Sequence, residues 1–137
     1  MTRKSVLIVD DERAIRTVTA NFLAEYYDVT VKPNVYEAMS WLMEGHRVDA
    51  IVSDLYMPGM NGFDFLGHLR SFKDTAFWNV PVLMLSGTES SEDRIRCFKL
   101  GADDFILKPF NPMELQVRIE SVLRRLGETM GAEAFVD

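Results

Sequence analysis

Short apolar runs alternate along this chain with stretches whose apolar residues recur at helical spacing. Val6–Val9, Val29–Val31, Ala50–Val52, Val80–Leu85 and Phe105–Leu107 read as five strands. The first, third and fourth are continuously apolar, as strands are when helices cover both faces of their sheet. Between them, Ile15, Val18, Phe22, Leu23 and Tyr26 fall on one helical stripe, as do Leu115, Ile119, Val122, Leu123 and Leu126.

Helix punctuation fits the same division. Asn34 followed three residues later by Glu37 resembles a capping box, and Gly45 stands where that helix should stop. Asn111-Pro112-Met113-Glu114 supplies a cap, a first-turn proline and a first-turn acid. Gly101 and Gly127 suit the left-handed residue that follows a helix end, and Pro81 suits the start of a strand. Strands alternating with helices predict right-handed βαβ units and a parallel sheet. Residues 1–126 read as one domain, and 127–137 as a tail or the start of a linker without apolar periodicity.

Composition narrows the function. The chain has 137 residues, enough for one domain, and 15 Lys and Arg against 21 Asp and Glu leave a net charge of −6. That balance argues against direct nucleic-acid binding by this chain, which needs a basic face. One cysteine and two histidines exclude an internal disulfide and a Cys/His metal cluster. Apolar runs of at most six residues fall far short of the roughly 20 that span a bilayer, so no membrane partner and a cytoplasmic location are expected. Cys97 reads as a small core residue, and His46 and His68 as surface residues.

The candidate chemistry lies at the carboxyl ends of the strands. Asp10, Asp11 and Glu12 follow the first, Asp54 the third, Ser86 the fourth and Lys108 the fifth. In a parallel sheet these ends share one edge, where ligands bind. Carboxylates brought together there repel unless they protonate or share a cation. An oxygen-only donor set suits Mg²⁺, and a lysine supplies a point charge for a phosphoryl group. A carboxylate can act as the nucleophile in phosphoryl transfer, which asks mainly for positioning and charge neutralisation. Bland alternatives exist for each residue: Asp11 as a helix cap, Asp54 as a turn former before Pro58-Gly59, Lys108 as a solvated charge, Ser86 as a structural serine. Convergence of all four on one edge favours a site.

The segments VLIVDD, SDLYMPGMNG, LSGT and GADDFILKPF, in this order, resemble the receiver domain of two-component response regulators, over about residues 5–126. The resemblance implies a doubly wound, flavodoxin-like α/β fold with strand order 2-1-3-4-5. It implies that Asp54 accepts a phosphoryl group from a sensor histidine kinase or other phosphohistidine protein. Asp11 would bind Mg²⁺ directly, Asp10 largely through water, and Asp54 and the Tyr56 backbone carbonyl would complete the metal site. Lys108 would contact the phosphoryl group, and the Lys108–Pro109 bond would be cis. Ser86 and Phe105 would form the switch pair, with Phe where many relatives carry Tyr. Such a domain is a signalling module that catalyses its own phosphotransfer and slow autodephosphorylation, not a turnover enzyme. Aspartate-nucleophile phosphatases usually carry a second acid two residues on, where this chain has Tyr56.

The segment from Ser91 to Leu126 resembles receivers whose effectors are winged-helix DNA-binding domains. That likeness implies a homodimer through the fourth helix, fifth strand and fifth helix. Arg94 would pair with Glu114, Asp104 with Arg118, and Asp103 with Arg125, around an apolar centre of Ile95, Phe98 and Ile119; Gln116 is polar where small apolar residues are usual. The competing reading is a phosphorylation-independent module of the same fold that only binds proteins. The complete set of acids and lysine argues against it.

Overall fold

The computed structural model describes the backbone of residues 3–134 and side chains through residue 127. Five strands, β1 (Ser5–Val9), β2 (Asp28–Lys32), β3 (Ala50–Asp54), β4 (Val82–Ser86) and β5 (Asp104–Leu107), alternate with five helices. The helices are α1 (Arg13–Leu23), α2 (Val35–Met43), α3 (Gly62–Ser71), α4 (Ser91–Leu100) and α5 (Pro112–Ala134). All neighbouring strands are parallel, in the order β2-β1-β3-β4-β5.

Alternation along each strand divides the core into two layers. Leu7, Val9, Ile51, Val82, Met84 and Phe105 pack on one face with Ala38 and Leu42 of α2, Phe65, Leu66 and Leu69 of α3, and Cys97 of α4. Val6, Ile8, Val52, Leu83, Leu85 and Ile106 pack on the other with Leu23 of α1 and Leu115 and Ile119 of α5. The chain winds from β1 to β2 on one side and then crosses back to β3 on the other. The carboxyl ends of β1 and β3 therefore flank the point where the winding reverses.

Helix ends follow their expected chemistry with instructive exceptions. Asn34 caps α2 by accepting from the Glu37 N–H, but the Glu37 carboxylate takes the Asn34 side-chain amide, so the reciprocal half of a capping box is missing. The full box is at α3, where Asn61 and Asp64 bond each other's backbone. Gly45 and Gly101 take the left-handed conformation after α2 and α4. Gly127 does not: α5 runs through it to Ala134, because an exposed glycine in a long helix only weakens the helix. The last three residues of the expected tail, 135–137, lie outside the described residues. In α1 the buried positions are Thr19 and Leu23, while Val18 is 62% exposed and Tyr26 lies beyond the helix end.

Candidate functional site

The sheet edge at the winding reversal gathers the acids. The register of β1 on β3 runs Val6↔Ala50 to Val9↔Ser53, so the next residues, Asp10 and Asp54, emerge side by side. Both are almost fully buried, at 1% and 4% exposure, whereas Asp11 is exposed. One carboxylate oxygen from each of Asp10, Asp11 and Asp54 lies within 4.8 Å of the other two. Asp10 is held by its surroundings: Oδ1 accepts from the Glu12 N–H at 2.9 Å, and its backbone carbonyl accepts from Arg16 at 2.7 Å.

Lys108 reaches this cluster from β5, across the end of β4. Its backbone N–H donates to the Ser86 carbonyl at 2.7 Å, and the Lys108–Pro109 bond is cis. Its ammonium sits 2.5 Å from Asp54 and 3.7 Å from Asp10. Burial pushes the Asp54 carboxyl up to about 7; the Lys108 contact opposes this and Asp10 adds to it. Burial pulls the Lys108 ammonium down, but contact with Asp54 and the charges of Asp54, Asp10 and Glu12 outweigh it and raise its pKa. Three carboxylates against one ammonium leave a surplus of negative charge with oxygen donors alone. That is the donor set of a hard divalent ion, and Mg²⁺ fits it.

Space for this edge depends on a residue that sequence reasoning passed over. A Cβ on Gly62 would lie 2.8 Å from the Asp54 carbonyl oxygen and 2.9 Å from the Leu55 Cα. Only glycine lets the first turn of α3 close against the strand end, where the Gly62 N–H donates to the Leu55 carbonyl at 2.7 Å. The signal was present in Asn61-Gly62, a cap followed by a residue without a side chain. Ser86 ends β4 in the same rim and Phe105 is buried beneath it on packing alone, 8% exposed. The Tyr56 side chain turns outward, 51% exposed, and donates to Asp93 of α4, a contact that holds its phenol above the ordinary pKa. Beside Lys108 opens an apolar hollow of about 480 Å³, walled by Ile15 and Val18 of α1 and by Pro109, Phe110 and Pro112.

The face of α4, β5 and α5 differs from its sequence-based reading. Ile119 has no exposure: it follows Leu115 by one turn on the stripe of α5 that packs against the sheet, so it cannot contribute to an interface. Ile95, Phe98 and Val117 are among the exposed apolar residues there, at 53%, 45% and 53%, with Leu107, Met113 and Leu126 also exposed. Gln116 is buried, donating to the Tyr27 hydroxyl at 3.3 Å and to Glu120 at 3.1 Å. Arg118 bridges Asp104 at 3.2 Å and Glu114 at 3.1 Å within the chain. Asp103 is occupied by Arg70 and by the Val82 N–H. Among the charges read as dimer contacts, Arg118, Glu114, Asp104 and Asp103 thus have partners in their own chain, and the Arg125 charge acts on Asp103.

Comparison with known proteins agrees with this architecture. The family model described as "Response regulator receiver domain" matches residues 6–120. A probable transcriptional regulator, ycf27, of Porphyridium aerugineum is 39% identical over 127 residues, covering 92% of this chain and 50% of that protein. The phosphate regulon transcriptional regulatory protein PhoB of Escherichia coli is 34% identical, covering 90% of this chain and 53% of its own length. The chain spans about half the length of these relatives. Among solved structures, the receiver domain of Francisella response regulator 1452 superposes with a TM-score of 0.82 at 33% identity, over 90% of this chain and 99% of that one. The chemotaxis protein CheY4 of Vibrio cholerae gives 0.81 at 32%, over 88% and 99%.

Proposed function

Because the chain belongs to the family of response regulator receiver domains of two-component systems, we propose that Asp54 is its phosphoacceptor and that Asp10 and Asp11 hold Mg²⁺ with it. The observation that carries this is the convergence of three carboxylates within 4.8 Å, with the Lys108 ammonium 2.5 Å from Asp54. The donor is a phosphohistidine of a sensor kinase or relay protein. One Asp54 oxygen attacks phosphorus, the P–N bond breaks, and its electron pair leaves with the imidazole nitrogen. Burial favours the protonated, non-nucleophilic carboxyl, and Lys108 opposes that by stabilising the anion. Bound Mg²⁺ would neutralise the charge of the transferring group, with the Tyr56 backbone carbonyl as a further ligand. Ser86 would then turn toward the phosphoryl oxygens and Phe105 would shift with it.

The proposal includes pairing of two phosphorylated copies through α4, β5 and α5, with Ile95, Phe98 and Val117 as the apolar centre and Arg94 reaching Glu114 of the partner copy. Incubation with acetyl phosphate and Mg²⁺ tests both parts. One acid-stable, base-labile phosphoryl group is expected, absent from Asp54→Asn, and sedimentation of the same sample should show a dimer. Retention of the label in Asp54→Asn would defeat the site assignment. A phosphorylated monomer would remove only the pairing.

A further inference from the structure

An unbroken run of hydrogen bonds ties the end of β4 to α4 and to the loop after β3. Asp93 Oδ2 accepts from the Tyr56 hydroxyl at 2.5 Å and from the Thr88 hydroxyl at 3.3 Å. Thr88 Oγ1 lies 3.2 Å from Ser86 Oγ, and the Thr88 N–H donates to Ser86 Oγ at 3.2 Å. Counting protons fixes the direction of the run. A hydroxyl has one proton and a carboxylate has none to give, so Thr88 donates to Asp93. The contact between the two hydroxyls is therefore Ser86 donating to Thr88. With its proton committed outward and its oxygen engaged by the Thr88 N–H, Ser86 has no donor to offer Asp54.

We propose that Asp93 is a positioning residue for the switch serine. Through Thr88 it keeps the Ser86 proton out of the site while Asp54 is unmodified, and through Tyr56 it fastens the loop after β3 to the first turn of α4. This rests on Asp54 being the phosphoacceptor. For Ser86 to donate to a phosphoryl oxygen, its bond to Thr88 must break, and the run through Asp93 loses its first link. The clamp therefore adds to the gap between the resting and switched states. It lowers the apparent affinity for a phosphoryl group by the fraction of molecules that are competent. The surroundings reinforce the Tyr56 anchor: its ring meets Phe63 edge-on at 6.1 Å, and Arg96 of α4 lies 4.0 Å over the same Phe63 ring.

Asp93 also sits in the first turn of α4, where any acid favours the helix dipole, and its N–H is capped by Ser90. Glu92 occupies the same turn and takes no part in the run, which makes it the control. The experiment titrates beryllium fluoride with Mg²⁺, a tetrahedral phosphoryl mimic, into the wild type, Asp93→Ala, Tyr56→Phe, the double variant, Glu92→Ala and Asp54→Asn by calorimetry. Asp93→Ala removes the acceptor, which an amide would keep, and should tighten apparent binding about 3- to 10-fold, the scale of one hydrogen bond. Tyr56→Phe should tighten it less, and the double variant no more than Asp93→Ala, because both act on one carboxylate. Glu92→Ala should match the wild type. The clamp is overturned if Asp93→Ala binds the mimic no tighter than the wild type, or if Glu92→Ala tightens binding equally. If Asp54→Asn binds as the wild type does, the phosphoacceptor assignment fails and the clamp falls with it. Lost binding in Asp54→Asn beside unchanged affinity in Asp93→Ala sinks the clamp alone.

Discussion

Two partly buried charge clusters among the described residues are built on opposite principles. At the carboxyl edge, Asp10, Asp11 and Asp54 face a single Lys108, so like charges outnumber their partner. Away from it, Arg70 of α3 is surrounded by acceptors. Its guanidinium donates to the carbonyls of Gly101, Trp78 and Val80 at 2.8–2.9 Å and to Asp103 at 3.3 Å. Asp103 in turn accepts from the Val82 N–H at 2.8 Å. Burial raises both Asp103 and Asp54, and it pushes Asp54 up to about 7. A cluster whose charges are matched holds chain segments together. A cluster with surplus charge of one sign is kept for something that arrives from solution.

The sharpest way to break that contrast is Arg70→Ala. It leaves three carbonyls without this donor and the Asp103 carboxylate without its cation, in a place where the arginine side chain is only 19% exposed. A loss of about 2–4 kcal/mol in urea unfolding is expected, from a partly buried ion pair broken on one side. Phosphorylation from acetyl phosphate should survive wherever the variant is folded. A loss below about 0.5 kcal/mol would mean that this cluster is ornamental.

How far these two clusters could be seen in the sequence differs for a physical reason. The strands, the two-layer core and the acids at the strand ends were legible, because apolar runs and chain order fix which side chains reach a common edge. Arg70 was invisible, since its partners at residues 78, 80, 101 and 103 come together only after α3 and α4 pack. The same applies to Gln116, whose partner Tyr27 is 89 residues away and which therefore read as an oddity of an exposed face. Val18 was misplaced because helical spacing defines a stripe but not its centre, and a rotation of one position puts Thr19 inward on α1. On α5 the spacing of Leu115, Ile119 and Val122 marked the core stripe correctly, and it was the resemblance that assigned Ile119 to an interface.

The next test inverts the sign. In the presence of a chelator, Asp54→Asn should make the protein more stable than the wild type at pH 7.5 and above, where Arg70→Ala makes it less so. A gain of at least about 1 kcal/mol is expected, since one pKa unit is worth about that much. The direction follows from linkage. Asp54 has a folded pKa raised to about 7 from 3.8, so between those values the native state holds a proton that the unfolded chain has released. Stability of the metal-free wild type must then fall as pH rises from about 4 to 7. Asp54→Asn removes that slope. Equal slopes in the two proteins, measured by urea unfolding across pH 5–8, would show that burial and the neighbouring Asp10 do not hold a proton on Asp54.

The third effect, that of Mg²⁺, bears most directly on why the charge surplus exists. A ligand that binds only the folded chain stabilises it by an amount set by its concentration over its dissociation constant, about 1.4 kcal/mol at tenfold excess. Added to wild type at pH 7.5, Mg²⁺ should raise the melting temperature, and chelation should reverse the rise. Asp11→Asn should lose most of the increment, although Asp11 is exposed and its removal costs the apo fold little. Arg70→Ala should keep the increment in full, displaced to a lower starting point, because the strand-edge carboxylates are untouched and the one acid it leaves unmatched, Asp103, is not joined by two others as Asp54 is. If instead Mg²⁺ stabilised Asp54→Asn and Asp11→Asn as well as it stabilised the wild type, the ion would be acting on the general acidity of the chain, which carries a net charge of −6. The three carboxylates would then have no claim to a metal, and the distinction between a matched cluster and a waiting one would collapse with it.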